Sequence, residues 1–136
     1  MHHRNYNIGE SNYAKKNIQP WDIIRNWKLD FFEGNIIKYI VRVKPNTRTE
    51  DLKKACHYIQ EIIENTISVP NRTFNEATYS ASDIINEYNL HEKQEAEIIH
   101  YLRDALKSND LIEYKIYLRF ALADLRGMIK WQQKKY

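Results

Sequence analysis

One cysteine, three glycines and three prolines in 136 residues leave this chain short of cross-links and of turn-formers. The lone Cys56 excludes an internal disulfide framework and a four-cysteine zinc site, and it suits a reducing compartment. So little Gly and Pro excludes a sandwich or barrel that reverses direction about every ten residues. No Gly-x-x-x-x-Gly-Lys loop is present, which removes the ordinary phosphate-cradling kinase. No Gly-x-Ser-x-Gly elbow and no nucleophile triad stands out, so no catalytic residue is assigned. Apolar runs fall short of the roughly eighteen residues a membrane span needs, and Met1-His2-His3-Arg4-Asn5 opens a polar segment. Neither a span nor a signal peptide is expected, and nothing indicates membrane association.

What is present is a folded composition, 43% hydrophobic and 29% charged. The length suits one compact domain, or two small halves sharing a core. The net charge of +3 is unevenly placed. Residues 1–48 carry nine Lys/Arg against four Asp/Glu, giving +5, and residues 49–136 carry twelve against fourteen, giving −2. A basic first third suggests a local anion-binding surface, while the total falls short of a dedicated duplex-DNA binder.

Periodicity predicts an all-α fold of six helices. After an irregular arm at 1–17, Pro20 opens a first helix carrying Trp21, Ile24 and Trp27. Asp30 caps a second, running to about Lys44, with Phe32, Ile36, Tyr39, Ile40 and Val43 on one face. Thr49 is the expected cap of a third, whose stripe of Leu52, Ala55, Cys56, Ile59 and Ile62 fades near Thr66. Residues 67–79 read as a linker. Ser80 with Asp83 forms a capping box for a fourth helix, and a fifth and sixth follow over about 91–107 and 110–134. The halves resemble each other: Asp22-Ile23-Ile24 matches Asp83-Ile84-Ile85 at an offset of 61, and Ile36-Ile37-x-Tyr39-Ile40 matches Ile98-Ile99-x-Tyr101-Leu102 at 62. Two three-helix units, 18–66 and 80–136, are therefore expected to pack as repeats around a pseudo-two-fold axis, since neither half is long enough for a good core alone.

Three ordered motifs carry a family resemblance: Ile18-Gln19-Pro20-Trp21-Asp22-Ile23-Ile24, then Gly34-Asn35-x-x-Lys38-Tyr39-x-x-Arg42, then Asp51-Leu52-Lys53-Lys54-Ala55 with Tyr58-Ile59. Over about residues 12–63 the chain resembles a small bacteriophage domain family of unknown function (DUF3310, SaV-like), which also occurs in some phage nucleotide kinases. Members often carry a His-Tyr pair in the arm, where this chain has Asn12-Tyr13. The resemblance implies a phage or prophage origin and a place in the host cytoplasm.

Helical spacing puts Phe31, Asn35, Lys38 and Arg42 in one stripe beside the apolar face of the second helix, and Asp51, Lys54 and Tyr58 in a flanking stripe of the third. If the two helices pack antiparallel, the stripes line one groove. Lys38, Lys54 and Arg42 offer donors to a phosphate. Asn35 offers a polar edge, Asp51 a carboxylate to orient a cation, and Trp21, Tyr39 and Tyr58 stack on a base. These eight residues form the expected binding site for a nucleotide or another phosphorylated anion. Gly34, inside a helix at a cost of about 1 kcal/mol relative to Ala, points to a close backbone approach or a kink.

Other constellations are weaker. Glu61-x-x-Glu64 and Glu92-x-x-Glu95 resemble half of a magnesium-dependent helical pyrophosphatase set, and their partner positions lack the first carboxylate, so solvated surface is the expected account. His91 with Glu95, and Glu97 with His100, lack a third ligand. No metal and no cofactor are expected. Tyr101, Tyr114, Tyr117, Phe120 and Trp131, interleaved with Arg103, Lys115, Arg119, Arg126 and Lys130, have the composition of an interface. They point to a homodimer or higher oligomer. Three functions follow: a binder that sequesters a nucleotide-type ligand such as a host defence signal; an inhibitor or adaptor gripping a host defence protein or, less favoured, a nucleic acid; and an enzyme of nucleotide phosphotransfer. The binder is preferred because no complete catalytic set is visible.

Overall fold

The computed structural model describes residues 17–74 and 78–135. Within them the fold is all-α, with six helices: α1 (Pro20–Asn26), α2 (Phe31–Val41), α3 (Arg48–Asn65), α4 (Ala81–Tyr88), α5 (Lys93–Lys107) and α6 (Leu111–Lys135). The expected arm at 1–17 lies outside the described residues except for Asn17. Each half presents a short, a middle and a long helix, in that order.

Local chemistry sets most boundaries. Asp30 accepts from the Glu33 N–H at 2.8 Å while Glu33 accepts from the Asp30 N–H at 3.1 Å, a reciprocal box that starts α2. Ser80 and Asp83 close the expected box on α4, and Gln19 with Asp22 closes another on α1. Three boundaries differ from expectation. α2 ends at Val41 instead of near Lys44, because Lys44 precedes Pro45 and is pushed out of the helical region, and Arg42 already leaves it at ψ 87°. α3 starts at Arg48 behind Thr47, two residues before the predicted Thr49 cap. α5 starts at Lys93 instead of near 91.

The helices pack in the order α1, α2, α3, α6, α5, α4, with α3 against α6 joining the halves. All six contribute to one buried core, which includes Ile23, Ile36, Leu52, Ile84, Ile98 and Leu118. Gly34 has a definite reason: a Cβ there would meet Ile24 of α1 at 3.3 Å, so α1 lies on bare backbone of α2. The polar joints between α1 and α4 are reciprocal. Trp27 Nε1 donates to the Tyr79 carbonyl at 2.8 Å, and Tyr88 OH donates to the Ile18 carbonyl at 2.6 Å. The Tyr79 N–H donates to Asn26 and the Ile18 N–H to Glu87. Each bond maps onto its counterpart at the offset of 61. Both short helices also end alike, with Lys28 and Asn89 at φ 54° and 56°.

Candidate functional site

α2 and α3 form an antiparallel hairpin, as the pairs Phe31–Tyr58 and Arg42–Asp51 at opposite ends record. Seven of the eight predicted site residues lie on this hairpin. Tyr39 and Tyr58 rings are nearly parallel, 16° apart in plane with centroids 6.1 Å apart. The Nζ atoms of Lys38 and Lys54 each stand 5.3 Å from the Tyr39 centroid, so one ring is shared by a cation from each helix. Phe31 and Phe32 meet Tyr58 edge-on or tilted and extend the aromatic surface, with Phe31 68% exposed.

The remaining residues take other parts. Asp51 is buried behind the face, where Thr47 Oγ1 donates to it at 3.0 Å, and it lies 3.8 Å from Arg42 Nε. It positions Arg42 and presents no carboxylate to a ligand. Asn35 Nδ2 donates one turn back to the Phe31 carbonyl at 2.8 Å, inside its own helix. Trp21 is carried by α1 and is 44% exposed. The geometry is an open aromatic face edged by Lys38, Lys54 and Arg42.

Three buried charge clusters escaped the sequence reading. Arg72, read as linker, forks onto Glu33 with Nη1–Oε1 at 2.7 Å and Nη2–Oε2 at 2.6 Å. Tyr114 OH donates to the same Glu33 Oε2 at 2.6 Å. Burial and the Glu33 carboxylate hold the Tyr114 hydroxyl far above its ordinary pKa. Arg48 pairs with Glu95 at 2.6 Å and donates to the Ile40 carbonyl at 2.8 Å, satisfying the end of α2. Glu95 is thus buried and committed, not the solvated carboxylate that Glu92-x-x-Glu95 suggested. Arg103, expected on an aromatic-basic surface with Tyr114, is buried with it, because helical phase turns both inward: its guanidinium lies 4.1 Å from the Phe74 ring centre and 5.0 Å from that of Trp27. Burial and the neighbouring Arg72 charge push its pKa down. Only the capping spacing Asp30-x-x-Glu33 signalled any of this locally.

Cys56 is buried in the core as expected, and burial pushes its thiol pKa up, away from nucleophilic use. Among the described residues, no group of three or more His, Cys, Asp or Glu is placed to hold a metal ion. No helix there is long and apolar enough to cross a membrane.

No solved structure matches the chain. Residues 9–60, which contain all eight predicted site residues, match the family described as a protein of unknown function, DUF3310, and the likeness is confined to this segment, under half of the chain.

Proposed function

We propose that this chain is a phage-encoded protein of the host cytoplasm that binds a nucleotide-type or other phosphorylated anion on the α2–α3 face, sequestering it without converting it. The observation that carries the reading is Tyr39 with the Nζ atoms of both Lys38 and Lys54 at 5.3 Å from its ring centroid and stacked with Tyr58. Such a face offers a π-surface to a base and ammonium donors to its phosphate. Stacking of a base on an aromatic side chain is worth about 1–3 kcal/mol by alanine replacement. Arg42, steadied by buried Asp51, adds a guanidinium at the end of the hairpin.

Calorimetric titration with AMP and ATP tests this. Wild type is expected to bind, and a folded Lys38→Ala/Arg42→Ala variant to bind about tenfold more weakly, the loss of strong charge-assisted contacts. Unchanged binding in that variant overturns the proposal. Phosphate transfer from ATP to a nucleoside monophosphate in the same sample would replace sequestration with enzymology.

A second reading, docking of a protein partner or a second copy, is favoured by the outer face of α6. Ile112, Ile116 and Phe120 recur there at spacing of one helical turn and remain exposed. A Phe120→Glu variant that keeps nucleotide binding but loses self-association or a partner would assign the two surfaces separately.

A further inference from the structure

α5 and the entry to α4 enclose a second place with anion chemistry. A cleft of about 380 Å³ is lined by Ser80, Ala81 and Ser82 at the start of α4 and by His100, Arg103 and Lys107 of α5, with Asp104 the one carboxylate in the lining. Two observations meet there. The first is the start of an eight-residue helix. Ser80 Oγ takes the Asp83 N–H, while the N–H groups of Ala81 and Ser82 belong to the first turn, where the helix supplies no acceptor. The second is Arg103, more than nine-tenths buried, whose Nη1 has no hydrogen-bond partner. The aromatic rings of Trp27 and Phe74 attend its guanidinium, and the charge that adds to burial in pushing its pKa down is another cation, Arg72. Among its described neighbours this buried charge lacks a counter-ion. Buried charges are normally paired.

We infer that the α4–α5 cleft is a binding site for a phosphate group, held by the first-turn N–H groups of α4 and by Lys107, with Arg103 supplying the uncompensated charge. Two cations against one carboxylate leave the lining net positive. The hydroxyls of Ser80 and Ser82 add donors of the kind phosphate oxygens accept. The corresponding positions of the first half, at the offset of 61, are Gln19, Pro20 and Trp21. Pro20 has no N–H to give and Trp21 replaces a hydroxyl with an indole, so the feature belongs to the second half alone.

This site is separate from the α2–α3 face, and amide-resolved NMR tests it separately. Titrating the full chain with inorganic phosphate is expected to move the Ala81 and Ser82 amide signals saturably, and Lys107→Ala is expected to weaken that response about tenfold. Ser82→Asp, which adds a second carboxylate to the helix start beside that of Asp83, is expected to abolish it while preserving the fold. AMP in place of phosphate distinguishes the source: equal affinity means a bare phosphate site, and tighter binding with shifts spreading over the cleft means a nucleotide. Lys38→Ala/Arg42→Ala is expected to leave the Ala81 and Ser82 response intact, so failure of one site does not mask the other. Amides that stay in place with both probes, or that move equally in wild type, Lys107→Ala and Ser82→Asp, overturn the inference.

Discussion

Glu33 shows how much one buried carboxylate can organise when its oxygens are all committed. It closes the α2 capping box, receives both arms of Arg72 and accepts from Tyr114, joining the first helical hairpin to the linker and to α6. Removing one partner of such a network costs more than a surface contact, because the remaining charge stays out of water. Tyr114→Phe keeps the ring packing and deletes only the donor to Glu33. We expect a stability loss of about 2 kcal/mol, as for a hydrogen bond to a charged group, measured by urea unfolding. A loss within experimental error would mean that Arg72 alone satisfies the carboxylate. At the same scale, Asp51 and Arg42 show a division of labour in the candidate site: the buried acid holds the half-exposed base, and only the base faces outward.

Between elements, the α5–α6 contact contains an unfavourable pair. Asp124 on α6 is pushed up to about 6 by burial and by the adjacent Glu97 carboxylate of α5, with Lys93 offsetting this in part. Its Oδ2 is buried without a hydrogen-bond partner. A carboxyl whose folded-state pKa is raised binds its proton more tightly in the folded chain than in the unfolded one. Its stabilising contribution is therefore fully present below the ordinary value of 3.8 and is lost as pH rises through about 6. Asp124→Asn carries no charge to desolvate, so its thermal midpoint is expected to exceed that of wild type at pH 7 and the difference to close towards pH 4. Parallel melting curves across that range, with no pH-dependent gap, would refute the assignment. The joints between α1 and α4, by contrast, are exchanged pairwise at the offset of 61 seen in the sequence.

For the molecule as a whole, the packing order places the inter-half contact of α3 with α6 at the centre. Arg48 on α3 and Glu95 on α5 add a buried ion pair across the same divide. A single core built from all six helices should unfold in one step. Calorimetry is expected to give one transition with matching calorimetric and van't Hoff enthalpies, and a fragment spanning residues 17–66 is expected to show no cooperative unfolding. Two resolved transitions, or a cooperatively folding fragment, would establish two independent units. The described fold carries three distinct surfaces: the α2–α3 aromatic face, the α4–α5 cleft and the outer stripe of α6.

Sequence by itself determined the all-α class, the number and order of helices, the Asp30 and Ser80 starts, and the separate stripes that carry Lys38 on α2 and Lys54 with Tyr58 on α3. Those features follow from helical periodicity and from capping, which act within about four residues along the chain. Tertiary structure decided which charges are buried and with whom. Arg72 meets Glu33 across 39 positions, Arg48 meets Glu95 across 47, and Tyr114 meets Glu33 across 81. No spacing rule reaches that far, so residues that read as linker, solvated acid and surface aromatic became the polar interior. The same reason hid the α4–α5 cleft: Ser82 and Arg103 line it together only because α4 packs on α5.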